Sequence, residues 1–472
     1  MLDKKDSYLM GRSPAVRPAE DGRERKPERL IHFAVEGLFD EFTYNIPLGN
    51  EDRITAIIAP NGSGKTLCLR LINAFFGKKW SYFTEVLFAR VEFTFRSGST
   101  VSIEKFEGSL GEDKPAALGL RFVVKRGDGD QREWIPGGAV PVRNTRSAPI
   151  ESYLPFLTRT GPNTWTHDNT GEDFTLQKIL EEYAEELPES LRRNFFSEAP
   201  SFLLDLVDAI DCHLIETQRL LILREDDEAM YRHGSRRPAS TLAISRKAQT
   251  LRSIIAQSLT AYAALSQSLD RSFPRRVIAQ HQVLPPENLK KQLQELDEQR
   301  KNLMAAGILD TEADDPVSLP QGPMAEAISR VLSVYADDTR SKLSSLSTLL
   351  ARIQLFKELI SQRFVSKIVS INKQGFEVTY RNNKVPLEKL SSGEQHQLVL
   401  FFELLFELKE NALILIDEPE LSLHVAWQKK FISDLKKIIA LNRFDVILAT
   451  HSPQLIGRWN DLVVELGEVD GQ

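Results

Sequence analysis

A lysine and a threonine close the run Ala59-Pro60-Asn61-Gly62-Ser63-Gly64-Lys65-Thr66, which follows the apolar stretch Ile54–Ile58 and leads into the amphipathic Lys65–Phe76. Strand, glycine-rich turn and helix in that order read as a phosphate-binding loop. The glycines let backbone N–H groups converge on a β-phosphate, and the helix start adds partial positive charge. Asn61, Gly62, Ser63 and Gly64 form the expected cradle. Lys65 is placed to reach the β- and γ-phosphates, and Thr66 to offer its hydroxyl oxygen to Mg²⁺. Ala59 stands where the usual pattern has its first glycine, a mild departure. The bland alternative is a chance glycine turn.

Three further segments carry chemistry. Leu413-Ile414-Leu415-Ile416-Asp417-Glu418-Pro419 reads as a strand buried on both faces, as in a parallel sheet, with two carboxylates at its C-terminal end. Asp417 suits Mg²⁺, directly or through water, and Glu418 suits a general base that polarises water. The competing reading is a solvated acidic turn. Leu390-Ser391-Ser392-Gly393-Glu394-Gln395 has Ser391 or Ser392 as a helix N-cap and a glycine that permits close approach, so the helix start could hold an anion. It could equally be a plain cap. In Val446-Ile447-Leu448-Ala449-Thr450-His451-Ser452-Pro453 an apolar strand ends in polar groups with His451 at its tip. A lone histidine there is more often structural, but beside the other three segments a γ-phosphate contact is the better reading.

In order and type these segments resemble the ABC-type ATPase superfamily, which includes transporters' nucleotide-binding domains and the SMC and RecF repair ATPases. The resemblance implies ATP as ligand with Mg²⁺. It also implies a homodimer of heads, open to assembly into a higher oligomer, in which the phosphate loop of one copy faces Ser392 and Gly393 of the other. Glu420-Leu421-Ser422-Leu423-His424 falls where the family's D-loop crosses the interface. ABC heads also need a glutamine that senses Mg²⁺, and Gln218, in Ile215–Leu220, lies in the right order. It could instead be a polar residue on a surface helix.

The run from Pro419 to His424, followed by Trp427 and Gln428, resembles more narrowly the OLD-like group, which commonly has proline where Val425 stands. OLD nucleases carry a C-terminal TOPRIM domain, and with only a short stretch after His451 none is expected here. The chain therefore resembles the stand-alone ATPase subunit of two-gene anti-phage systems such as Septu or PARIS. That implies a separate nuclease or toxin-like effector as partner. A RecF- or SMC-type repair ATPase is the second reading. A transporter subunit is a distant third, because the phosphate loop and the family's signature, matched here by Leu390–Gln395, lie so far apart.

These segments need a scaffold. With 472 residues, 42% of them hydrophobic and 27% charged, the chain has ordinary globular composition and more length than one core requires. The expected class is α/β, an ABC-type head of mixed and parallel sheets split by a helical, coiled-coil-like insertion. The expected divisions are a disordered tail at 1–29, the first half of the head at 30–238, a helical arm at 239–363 and the second half of the head at 364–472. Strands are expected at Leu30–Val35, Phe42–Ile46, Phe88–Phe95, Thr100–Phe106, Leu120–Val124, Lys367–Asn372 and Gly375–Tyr380. Helical periodicity is read at Leu176–Leu187 and Phe202–Ile222, and 127–175 give no pattern. Met324–Ile360 reads as one helix of about 55 Å. A compact helical subdomain is the alternative to the arm.

A net charge of −6 leaves nucleic-acid binding only to a local patch. Between Ala229 and His281 nine basic residues (Arg232, Arg236, Arg237, Arg246, Lys247, Arg252, Arg271, Arg275 and Arg276) face one acid, Asp270. The segment 232–276 could bind phosphate backbone, dock an acidic partner or simply be solvated. Only two cysteines, Cys68 and Cys212, and no signal peptide point to the cytoplasm. No apolar run approaches the roughly 20 residues that cross a bilayer, so no membrane contact is expected.

Overall fold

The computed structural model describes residues 27–80, 82–108, 117–136, 150–161, 164–168, 170–175, 178–179, 183, 199–215, 243–280, 285–310, 325–364, 366–423 and 425–466. The strands are β1 (Leu30–Leu38), β2 (Phe42–Pro47), β3 (Ile54–Ile58), β4 (Arg90–Phe95), β5 (Thr100–Gly108), β6 (Ala117–Lys125), β7 (Gln131–Trp134), β8 (Leu157–Arg159), β9 (Thr164–His167), β10 (Asp173–Thr175), β11 (Cys212–Ile215), β12 (Lys367–Asn372), β13 (Gly375–Tyr380), β14 (Asn383–Val385), β15 (Leu413–Asp417), β16 (Asp445–Thr450) and β17 (Val463–Glu465). The longer helices are α1 (Lys65–Phe76), α2 (Ala243–Ala279), α3 (Pro286–Ala305), α4 (Glu326–Ser344), α5 (Ser347–Ser361), α6 (Ser392–Phe402) and α7 (Val425–Asn442).

The centre is a parallel sheet in the order β11-β15-β16-β3-β17. Its middle strands are apolar without alternation because both faces are covered. On β15, Leu413 and Leu415 join one core while Ile414 and Ile416 join the other. On β16, Ile447 and Ala449 face the first core, and Val446 and Leu448 the second. The first core holds α1 and an antiparallel sheet in the order β2-β1-β4-β5-β6-β7. There Phe75 of α1 stacks on Phe93 of β4 with ring centroids 4.0 Å apart. The second core is built by α5, α6 and α7 and takes in the roots of α2, α3 and α4. The fold is thus mixed α/β with parallel and antiparallel sheets and an inserted helical region.

Two ion pairs bind distant parts of the chain. Arg29 is buried and pairs with Asp445 at the start of β16, so the boundary expected after residue 29 falls too late. Arg363, just after α5, pairs with Asp434 of α7; their side chains are only 2% and 3% exposed, and the guanidinium lies 4.6 Å from the Phe401 ring.

The inserted helices depart from expectation in one place. The single helix read from Met324 to Ile360 is two, α4 and α5, separated at Ser345 and Leu346. Serine hydroxyls compete with the helical ladder there: Ser344 Oγ donates to Ser341 O (2.9 Å), Ser345 Oγ to Lys342 O (2.7 Å) and Ser347 Oγ to Ser344 O (2.7 Å). Burial of Leu346 fixes the bend. The 37 residues of α2 run about 55 Å. Its buried residues end at Ile255, beyond which it packs along α4, itself packed on α3.

The helix expected over Phe202–Ile222 is also shorter. A helix covers Ser201–Val207, and Cys212–Ile215 forms β11, paired in parallel with Leu413–Ile416. An open edge beside β15 outweighs local periodicity. The span without pattern contains β7 and a small sheet, β8 to β10, with its own core around Trp165 and Phe174.

Candidate active site

Three adjacent parallel strands end on one side of the sheet, and each delivers one of the expected segments there. After β3 comes the phosphate loop, after β15 the acidic pair, and after β16 the histidine. Asn61, Gly62, Gly64, Lys65, Thr66, Glu418 and His451 line a single open cleft of about 770 Å³.

Lys65 is buried and donates to Ala59 O (2.7 Å) and Pro60 O (2.9 Å), with His451 Nδ1 at 3.3 Å. Burial lowers the Lys65 ammonium below the usual lysine value, against the opposing pull of Glu418, Asp417 and Glu420. Thr66 Oγ1 donates to Asp417 Oδ1 (3.2 Å), so the helix start and the acidic strand end meet. Glu418 has φ 45°, an uncommon conformation for a residue with a Cβ, and its N–H donates to Ala449 O (2.9 Å). His451 Nε2 lies 3.4 Å from Glu418 Oε1, which places the ring between lysine and glutamate.

The loop is shaped by steric need. Gly64 has φ +86°, and a Cβ there would stand 2.8 Å from Leu38 Cδ2. Ser63 is buried, and its carbonyl accepts the Tyr44 hydroxyl at 2.7 Å. Burial pushes the Tyr44 phenol up to about 12, which keeps it a donor.

The predicted helix start lies elsewhere. Ser391 is the N-cap of α6: Glu394 N donates to its Oγ (3.4 Å), and Glu394 Oε2 accepts from Ser391 N (2.9 Å), a capping box. Lys367 Nζ donates to both Glu394 oxygens at 2.7 Å. Burial alone would raise the Glu394 carboxyl; Lys367 and Ser391 overcome it and hold the group below its usual range. Glu394 therefore faces its own helix start and β12, while Ser391 and Ser392 are exposed. None of Ser391, Ser392, Gly393 and Glu394 lines the cleft. Gln218 and His424 lie outside the described residues, as do Arg232, Arg236 and Arg237. Of the other basic residues, Lys247 is taken up by Glu403 (2.9 Å) and Glu407 (2.6 Å), and Arg276 by Asp338. Arg246, Arg252, Arg271 and Arg275 are exposed along α2.

Sequence reasoning missed the antiparallel sheet's share of the site. Phe39, 47% exposed in the β1–β2 turn, and Leu87, 49% exposed, form an apolar lip on the cleft. Phe39 N donates to Leu87 O at 3.0 Å. A large exposed apolar residue in a tight turn, Leu38-Phe39-Asp40, was the available signal.

The AAA ATPase domain family matches residues 247–456, a span that takes in most of the inserted helices, the Leu390–Gln395 segment, β15 and His451 but not Lys65. No curated protein matches the sequence. Among solved structures, the chain is similar to the Smc head domain with an extended coiled coil bound to the C-terminal domain of ScpA from Pyrococcus furiosus, at 12% identity over 93% of this chain and 94% of that one, TM-score 0.32. The SmcHead bound to the C-winged helix domain of ScpA aligns at 11% identity over 93% of each chain, TM-score 0.33. The SMC head domain from Thermotoga maritima aligns at 14% over 91% of each, TM-score 0.30. The coarse reading supported by the family match and the motifs together is an ATPase.

Proposed function

We propose that this chain binds and slowly hydrolyses ATP, and that two copies close head to head around the nucleotide. One observation carries the reading. Lys65, Glu418 and His451 converge on one cleft, while the helix start with exposed Ser391 and Ser392 lies off it, which supports a site completed by a second copy. The phosphate loop and Lys65 grip the β- and γ-phosphates, and the lip of Phe39 and Leu87 offers an apolar face to the base. Thr66 and Asp417 present two hard oxygens side by side, which fits Mg²⁺, an ion that takes one or two protein oxygens and leaves the rest to phosphate and water. When bound, it would neutralise charge between the phosphates. Glu418 polarises the attacking water as general base, and His451 contacts the γ-phosphate. Glu418→Gln is expected to bind ATP, stall hydrolysis and accumulate the closed dimer, whereas Lys65→Ala loses binding. Equal turnover in Glu418→Gln and the parent chain removes Glu418 as the base.

The finer reading follows the resemblance to OLD-like subunits: a cytoplasmic regulatory ATPase that scaffolds or controls a separate nuclease or toxin effector in anti-phage defence. Co-purification of the neighbouring gene's product tests it, and a lone gene with no interacting effector counts against it. Exposed Arg246, Arg252, Arg271 and Arg275 favour a second reading, a repair ATPase that binds DNA through α2. That reading requires hydrolysis to rise with DNA ends or gaps and binding to weaken steeply with salt.

A further inference from the structure

Gln428 sits on α7, away from the three segments that meet at the cleft, yet its amide bridges the turn after Glu418 and the loop after β16. Its Nε2 donates to Glu420 O (3.3 Å) and Leu423 O (3.2 Å), and its Oε1 accepts from Ser452 Oγ (2.8 Å). An amide has two N–H donors and one carbonyl acceptor, so all three functions are used and the orientation is dictated. Rotating the amide would set its oxygen against two carbonyls. Glu420 completes the connection: its Oε1 accepts the His451 N–H at 2.6 Å. Its other carboxylate oxygen is buried without a hydrogen-bond partner among the described residues. Ser452 N donates to Thr450 Oγ1 at 3.0 Å, which completes the anchoring of this short loop.

We propose that Gln428 and Glu420 are positioning residues: they hold the backbone of His451 and Ser452 against the turn that follows Glu418. The inference rests on the nucleotide-hydrolysing reading above. The His451 ring stands 3.3 Å from Lys65 Nζ and 3.4 Å from Glu418 Oε1, and its place follows from the backbone that these side chains hold. The same turn, Pro419–Ser422, carries Leu421 at its outer side, 72% exposed, beside a second cleft shared by Asn61, Glu418, Glu420, Gln428 and His451. A contact made on Leu421 from outside is thereby joined, through Glu420 and Gln428, to the histidine inside. This connection assigns a task to Gln428, which the nucleotide chemistry alone did not use.

The test is steady-state ATP hydrolysis by the full chain and by Gln428→Met, Ser452→Ala, His451→Ala and the double variant Gln428→Met/His451→Ala, each across ATP concentration and with its melting temperature measured. Displacing a group that meets the transition state lowers kcat more than binding. Gln428→Met and Ser452→Ala are expected to lower kcat by about tenfold to a hundredfold with KM changed less than about threefold. The double variant should be no slower than His451→Ala, since Gln428 acts through that residue. Ser452→Ala breaks a single link and keeps the test readable should Gln428→Met fold poorly. Unchanged kcat in the two single variants, or losses that multiply in the double, overturns the proposal. Absence of turnover in the parent chain overturns the hydrolytic reading first and this inference with it.

Discussion

Gly62 and Gly64 share a backbone conformation, φ +82° and +86°, but not a surrounding. A Cβ added at Gly62 meets nothing within 4 Å, whereas one at Gly64 stands 2.8 Å from Leu38 Cδ2 and 3.5 Å from Phe39 Cε2. Leu38 is fully buried, so its side chain has little room to withdraw. Gly62→Ala therefore carries only the left-handed backbone penalty, about 1–2 kcal/mol. Gly64→Ala adds overpacking of about 1–3 kcal/mol. If the loop's bound shape bears these costs, ATP affinity falls by roughly tenfold in the first variant and by a hundredfold or more in the second. Titration with a fluorescent ATP analogue reads both. Leu38→Ala, which removes the obstructing methyl, should return Gly64→Ala toward the Gly62→Ala value. Equal losses in the two glycine variants, or no rescue by Leu38→Ala, refutes the steric part of the reasoning. No loss in either refutes the backbone part.

Further expectations concern the scaffold. Arg363→Ala leaves Asp434 buried and unpaired, which should destabilise the second core by about 3–5 kcal/mol and lower the melting temperature. Glu394 ionises more readily folded than unfolded, so its contribution is fully present above 4.5 and is lost as pH falls through its lowered folded value. Melting curves across the acid range should therefore lose part of their pH dependence in Lys367→Met; an unchanged profile would show that the pair does not act on the carboxyl.

The sequence was informative where a residue's surroundings are written locally. Leu413–Ile416 and Val446–Ala449 are apolar at every position, and only strands covered on both faces require that, so the parallel core and the ends that carry Asp417, Glu418 and His451 could be placed. The capping box of Ser391 and Glu394 is likewise a local signal, four residues long. What was missed depends on partners far along the chain. Cys212–Ile215 became a strand because β15 offered an edge, and Arg29 left the expected tail because Asp445 needed a cation. Tyr44, Phe39 and Leu87 reach the phosphate loop through an antiparallel sheet whose packing on α1 no spacing encodes. The break between α4 and α5 was locally readable after all, in the serines from Ser341 to Ser347.

In the proposed dimer, the nucleotide held at Lys65 of one copy is completed by Ser391–Gly393 of the other. Lys65→Ala and Ser392→Arg should each abolish hydrolysis alone. In a shared two-site dimer, mixing the two variants builds one intact site in each mixed pair, so equal amounts should recover about a quarter of the parent activity. A mixture as inactive as its components would contradict the claim.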